Sequence, residues 1–334
     1  MRLLVTGGTG FVMSNVLRHW LEADPDAHAL SVDVALPDAT AKRHFAPVQD
    51  RLEFITGDIR DSGLLADLHG ADDIGYVVSG AAMTPTAGTT EASQAAMIVG
   101  VNVMGATHCL ELARSLPNLK RMIHVSTGSV YGGDGPDEGP LPEDGYVRPF
   151  PGTLYPITKL TGELVAKRYG EMFELPVHAV RLASVYGPMD RWTPGRDFAC
   201  ALNVMIHKAL AGESWTVSGP TGVGDWIHGG DVADAICALL KAPALNYDTY
   251  NIAHGTAISL AELSDLVCQT VGSGSWSAVG ETEIADIRGN PERQKGAWGA
   301  YDVSRLKDDA DWEPRPLREA IASYASWIRE NESI

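Results

Sequence analysis

The short apolar run Leu3–Thr6 leads directly into Gly7-Gly8-Thr9-Gly10, and a helix-like stretch reaching Ala23 follows at once. A strand that feeds a helix through glycines leaves backbone N–H groups at the helix N-terminus, where they can approach a pyrophosphate. A second strand-like run, Ala29–Val32, ends at Asp33, about twenty residues past the turn, where an acid can accept hydrogen bonds from an adenosine ribose. Such an acid repels a 2′-phosphate, so the pair of features points to NAD rather than NADP. Gly7 and Gly10 keep the spacing of the dinucleotide fingerprint, but its third glycine would fall at Met13. A methionine there requires small neighbours, or a shift of the helix or the cofactor.

The rhythm set by this opening continues. Leu52–Thr56, Ile74–Ser79, Arg121–Ser126 and Val177–Leu182 read as strands, and Thr90–Arg114 and Leu154–Phe173 as helices. Alternating strands and helices predict an α/β fold with a doubly wound parallel sheet, the Rossmann arrangement. Gly132–Thr153, rich in Gly, Pro and acids, predicts a long surface loop. Beyond Pro188 the alternation loosens, with a helix expected over Phe198–Ala211, a strand over Trp215–Ser218, a helix over Asp231–Lys241, a strand over Tyr250–Ile252 and an amphipathic helix over Pro316–Asn331. The expected division is a cofactor-binding domain of residues 1–188 and 229–254 and a smaller C-terminal α/β substrate domain of 189–228 and 255–334. A chain of 334 residues is long enough for both.

Composition narrows the partners. A net charge of −17 argues against nucleic acid and against an anionic membrane, both of which need a basic surface. It leaves a small-molecule substrate. The N-terminal apolar run is too short for a signal peptide or a membrane span. Cys109, Cys200, Cys237 and Cys268 form no CxxC pair, so free thiols in a reducing cytoplasm are expected, with no metal site.

Tyr155-Pro156-Ile157-Thr158-Lys159 puts a phenol and an ammonium four residues apart, on one face of a helix. A tyrosine titrates near pH ~10, so it is a poor base at neutrality unless a cation favours the phenolate. A phenolate so supported can take the proton of an alcohol, and the phenol can return it to an alkoxide. The spacing alone means little: 10 tyrosines and 8 lysines in 334 residues give roughly a quarter of such a pair by chance. Its place, downstream of a strand ending in Ser126-Thr127 within a dinucleotide-type fold, gives it weight.

Taken together, Thr6–Val12, Asp33, Gly57-Asp58-Ile59-Arg60-Asp61, Gly80-Ala81-Ala82, Asn102-Val103-Met104-Gly105, Val125–Gly132, Tyr155–Lys159 with Glu163, Ser184–Pro188, Asp225–Asp231 and Asp311-Trp312-Glu313-Pro314 resemble the extended short-chain dehydrogenases, the NAD-dependent epimerase/dehydratase family. The resemblance implies NAD as cofactor, a homodimer formed by two long helices, and a catalytic set of Thr127, Tyr155 and Lys159. It assigns Gly7, Thr9, Gly10, Phe11, Val12, Asp33, Ser126, Ser184 and Val185 to the cofactor. Asp58 and Ile59 would meet adenine, Ala81 and Ala82 the pyrophosphate and ribose, and Lys159 the nicotinamide ribose. Asn102 would brace the fold beneath the site, and Met83 and Ser129 would face the substrate.

Within that family the residues after the catalytic Ser/Thr separate reactions. Dehydratases carry an Asp-Glu pair there and decarboxylases a Glu; this chain has Gly128-Ser129, which removes both readings. Nucleotide-sugar epimerases place an Arg before the Asp of the segment Asp225-Trp226-Ile227-His228, where Gly224 stands; Arg288 corresponds to a second diphosphate-binding Arg at most. A smaller polyhydroxylated or carboxylated substrate is therefore expected. Arg191, Trp192 and Arg196 either bind such a carboxylate or are ordinary loop residues. Trp226, His124 and His228 are expected to be structural. Three functions remain open: an NAD-linked dehydrogenase for a secondary alcohol on a sugar-like or hydroxy-acid substrate, an epimerase with transient NAD reduction, and a non-catalytic NAD sensor, which Met13 favours.

Overall fold

The computed structural model describes residues 1–68, 71–84, 91–150, 152–191, 200–292 and 294–332. Its first half alternates β1 (Arg2–Thr6), α1 (Phe11–Glu22), β2 (His28–Asp33), α2 (Ala39–Phe45), β3 (Leu52–Thr56), α3 (Ser62–Ala66), β4 (Ile74–Ser79), α4 (Glu91–Val99), α5 (Ala106–Ser115), β5 (Arg121–Thr127), α6 (Leu154–Phe173) and β6 (Val177–Leu182). The second half adds β7 (Ser184–Tyr186), α7 (Ala201–Leu210), β8 (Ser214–Ser218), β9 (Val223–His228), α8 (Gly229–Lys241), β10 (Thr249–Ile252), β11 (Ala257–Ser259), α9 (Leu260–Val271), β12 (Ser275–Val279), β13 (Ile287–Arg288), α10 (Ser304–Ala310) and α11 (Leu317–Asn331).

Seven parallel strands form one sheet in the order β10-β6-β5-β4-β1-β2-β3. The chain winds outward from β1 in one direction through β2 and β3, then in the other through β4, β5, β6 and β10. The order reverses between β1 and β4, so a crevice opens beyond the carboxyl ends of those strands, at Gly7 and Gly80. The strands are apolar on both faces because helices cover both: Leu3, Leu4 and Val5 of β1 are fully buried. The expected doubly wound α/β fold is therefore the observed one.

Two of the sequence expectations change. The Thr90–Arg114 stretch is not one regular helix: α4 and α5 are joined by a π-helical turn over Gly100–Gly105. The extra residue in that turn brings Asn102 inward, where its side chain pairs with the Met83 backbone at 2.8 and 3.0 Å and donates to the Thr158 hydroxyl at 3.0 Å. Such π-turns often mark functional sites. The region beyond Pro188 is also less loose than its pattern suggests. With β7, which just precedes Pro188, it forms two three-stranded sheets, β11-β9-β7 and β12-β8-β13, packed with α7, α9 and α11. Their strands are mostly too short for alternation to show. Helix α9, not singled out in the sequence, starts at a capping box in which Ser259 and Glu262 satisfy each other's backbone N–H groups.

Glu91–Ser115 is long and apolar enough to cross a membrane by length and composition alone. Here it packs along α6 and leaves Met97, Val99 and Met104 exposed beside Leu164, Met172 and Phe173 of α6.

Met13 is buried in the core, and its thioether lies over Gly80. A Cβ at position 80 would stand 2.1 Å from the Met13 sulfur and 2.5 Å from its Cγ. Of the accommodations open to the sequence, the small neighbour is the one used, and α1 keeps its place against the sheet. Gly80→Val is expected to destabilise the protein by about 1–3 kcal/mol through overpacking. Adding Met13→Gly should return most of that loss in urea unfolding; additive losses would show that the two sites are not coupled.

Candidate active site

The crevice between β1 and β4 has the makings of a dinucleotide cradle. Gly7 adopts a φ of +76°, which a side chain would strain, and its N–H bonds the Val32 carbonyl at 2.8 Å. Gly10 is the N-cap of α1, and no side chain caps that helix or places an acid in its first turn. The N–H groups of Phe11 and Val12 are thus at an uncapped helix N-terminus, which suits an anion. Thr6 accepts from the N–H groups of Gly80 and Ala81 at 3.1 and 3.2 Å, fixing the opposite wall, and Ala82 lies exposed just beyond. Asp33 is half-buried at the end of β2; its Oδ2 accepts from the N–H and hydroxyl of Thr9 at 3.0 and 2.8 Å. A carboxylate has further lone pairs to offer a ribose. The Ser126 hydroxyl is buried at the end of β5 with no partner among the described residues. An open helix end, a glycine turn and an orphaned hydroxyl along one crevice fit NAD.

Asp58 and Ile59 stand at the adenosine end, and the structure modifies both expectations. Asp58 is clamped by the Arg60 guanidinium at 2.5 Å, and that hydrogen bond holds its carboxyl below the usual range. The Ile59 side chain points into the core against Gly105, so only its backbone can face a ligand. Its carbonyl already pairs with His108 at 2.7 Å. Val185 packs half-buried against the main core.

Thr127, Ser129, Tyr155 and Ser184 line one cavity of about 250 Å³. Thr127 ends β5 and caps the short 3₁₀ turn Gly128–Tyr131, its Oγ1 accepting from the Ser129 N–H at 3.2 Å. Tyr155 sits half-buried in the first turn of α6. Lys159, one turn on, is almost wholly buried and donates to the Val125 carbonyl at 2.5 Å. Burial pulls its ammonium down to about 8, while Glu163, a further turn along, pushes it up. Glu163 is itself held by Arg181 in a buried pair at 2.5 Å, so it does not fold back to neutralise Lys159. His124, buried next to Lys159, is kept well below its usual range by desolvation and by that cation, so it is neutral.

The rest of the lining was not singled out in the sequence. Phe150 and Thr153 come from the long loop, Leu182 and Ala183 from the end of β6, and Ala297, Trp298 and Tyr301 from a segment near the end of the chain. Nothing in local spacing ties residue 298 to residue 155. Asp225 provides the link: its buried carboxylate accepts from the N–H groups of His254, Gly255 and Tyr301 at 2.8, 3.0 and 3.1 Å. Burial pushes that carboxyl up to about 7 against the pull of those N–H groups.

Three expected substrate contacts are not found in this cavity. The Arg191 guanidinium is paired with Asp38 at 2.7 Å, at the N-terminus of α2. Arg288 is exposed and lines a separate cavity with Glu281 and Glu292. Met83 is half-buried and is held by Asn102. Trp192 and Arg196 lie outside the described residues. The structural expectations for the histidines fit: His228 caps α8 by accepting from the Gly230 N–H at 3.0 Å, and burial keeps it neutral.

Known proteins agree with this architecture. The family model described as the NAD dependent epimerase/dehydratase family matches residues 3–253. The low-salt glycan biosynthesis protein Agl12 of Haloferax volcanii is 30% identical, over 94% of each chain. The UDP-glucose 4-epimerase of Mycolicibacterium smegmatis is 28% identical, over 98% of this chain and 99% of its own. The crystal structure of dTDP-glucose 4,6-dehydratase from Bacillus anthracis in complex with NAD shares the fold, with a TM-score of 0.77, 23% identity, and 99% and 97% of the two chains covered. Its turn, crevice and Tyr-Lys helix, together with the match over most of its length, show that this chain belongs to the NAD dependent epimerase/dehydratase family and is an NAD-dependent enzyme.

Proposed function

We propose that the protein is an NAD-dependent oxidoreductase that interconverts a secondary alcohol and a ketone on a small sugar-like or hydroxy-acid substrate. The observation that carries this reading is the convergence of Thr127 and Tyr155 on one small cavity, with a buried lysine one helical turn behind the tyrosine. Gly7, Thr9, Gly10, Phe11 and Val12 would hold the pyrophosphate of NAD, Asp33 the adenosine ribose, and Ser126 and Lys159 the nicotinamide end. Bound there, NAD supplies the hydride acceptor. The sensor reading falls away, since the family is one of enzymes and Met13 is accommodated by Gly80.

The chain's own groups account for the proton. The Thr127 oxygen accepts from the Ser129 N–H, and its O–H, which donates to the Ser129 Oγ at 3.3 Å, can turn to the substrate oxygen instead. That bond holds the substrate oxygen beside the Tyr155 phenol. The Lys159 ammonium, in a desolvated setting, favours the phenolate, so Tyr155 can take the alcohol proton at neutral pH. Asn102 and the Val125 carbonyl fix the helix and the ammonium that do this.

The exposed apolar side chains on α4–α6, elements that pack on one another, support the homodimer. The four free thiols support a cytoplasmic setting.

Tyr155→Phe is expected to lower kcat by about 10²–10⁴ with NAD still bound, measured by steady-state kinetics and calorimetry. Unchanged turnover would rule the mechanism out. With wild type, substrate turnover should accumulate reduced cofactor, seen by its absorbance; conversion without accumulation selects the epimerase instead. Lys159 gives a pH signature. Its folded pKa of about 8 lies below the unfolded value near 10.5, so between those values the unfolded chain binds more protons and wild-type stability rises with pH. Lys159→Met should therefore be inactive yet more stable than wild type at pH 7, by on the order of 1–3 kcal/mol. That advantage should shrink towards pH 10 in urea unfolding.

A further inference from the structure

We infer that the cavity beside Tyr155 selects an uncharged, polyhydroxylated ring, and that Phe150 and Trp298 are its specificity-determining contacts, a narrowing that rests on the oxidoreductase reading above. The two rings meet at the cavity wall with centroids 5.4 Å apart and planes inclined at 45°. Phe150 is held by the long loop and Trp298 by the 3₁₀ turn Gly296–Trp298, so the pair joins two distant parts of the chain. An aromatic wall suits the C–H face of a sugar ring, while its hydroxyl edge can meet Thr127, Ser129 and Ser184.

Gly128 strengthens the case, because an aromatic group of this chain occupies the space it leaves. A Cβ at Gly128 would lie 1.8 Å from the Tyr301 hydroxyl. No carboxylate can be carried at position 128 while Tyr301 is there. Tyr301 is held in place by Asp225 at its N–H and by the Ala297 carbonyl, 3.1 Å from its hydroxyl. At position 128 the site therefore presents the Tyr301 ring.

Among the described residues, the cations considered for the substrate are engaged elsewhere. Arg191 faces Asp38, Arg288 lines another cavity beside two glutamates, and Lys159 is turned to the Val125 carbonyl. Among the described residues, no charged side chain lines the cavity. At about 250 Å³ the space falls below the roughly 300–1,000 Å³ typical of drug-sized ligands, and suits a single ring.

The test uses the NAD-loaded protein and two matched sets of probes: D-glucose and D-galactose against D-glucuronate, D-galacturonate and UDP-glucose. Binding is read from tryptophan emission, and turnover from the absorbance of reduced cofactor. The expected result is saturable quenching by a neutral aldose, with the acids and UDP-glucose at least about tenfold weaker. Phe150→Ala and Trp298→Ala should each weaken neutral-sugar binding about tenfold, with KM rising more than kcat falls. Trp298→Phe keeps a ring and should return KM most of the way to wild type, read from turnover because this variant loses the emission that responds, one of 8 tryptophans. Tighter binding of a uronate or UDP-glucose, no saturable response to either aldose, or unchanged affinity in both alanine variants would overturn the inference. Neutral-sugar binding without cofactor reduction would instead overturn the oxidoreductase reading and leave this one standing. Cofactor reduction by a uronate in preference to an aldose would do the reverse.

Discussion

A buried ion pair holds the working parts of this enzyme in register. Arg181 on β6 meets Glu163 on α6 with both side chains almost fully shielded from water. The same guanidinium donates to the Tyr131 hydroxyl at 3.0 Å and the Glu143 carbonyl at 2.7 Å. Those contacts reach the helix carrying Tyr155 and Lys159, the turn that follows Thr127, and the loop carrying Phe150. Asn251 on β10 extends the network, accepting from Tyr131 at 2.6 Å and bonding Glu143 and the Leu141 carbonyl. A pair this deep is costly to desolvate, and breaking one partner away would leave an uncompensated charge. Its satisfied hydrogen bonds fix one arrangement of three segments that are far apart in sequence.

Glu163 also shapes the chemistry from a distance. It lies one turn beyond Lys159, close enough to favour the ammonium, yet its oxygens are taken by Arg181. Lys159 therefore keeps its charge in a dry setting without a carboxylate to neutralise it, which is the condition for stabilising a phenolate nearby. Asn102 does for position what Glu163 does for charge, through the π-turn that a regular helix would not supply.

Much of this was legible in the sequence, and for physical reasons. Strand–turn–helix alternation is local, so the doubly wound sheet followed from the order of apolar runs. Gly7, Gly10, Asp33, Thr127, Tyr155 and Lys159 stand at strand ends or on one helix face, positions that chain direction fixes. Ile59 was read less well, because a side chain's direction depends on what packs against it; Gly105 leaves a hole that Ile59 fills. Arg191 illustrates the same limit, since charge does not reveal its partner, and Asp38 lies over a hundred and fifty residues away. In the second half the strands at Trp215–Ser218 and Tyr250–Ile252 were legible, whereas β7, β11 and β13, of two or three residues, were too short for a period to register.

What the sequence determined by itself was the fold class and the NAD preference, and it singled out the proposed proton-handling pair, because each rests on backbone direction or on residues a turn apart. Met13, Gly128 and Gly224 could be read there only as departures from a pattern. Tertiary structure decided what the departures mean: the methionine rests in the space over Gly80, and Tyr301 and Trp226 stand where side chains at 128 and 224 would have to grow. Sequence cannot show this, since the space left by a glycine belongs to whichever distant ring the fold brings to it.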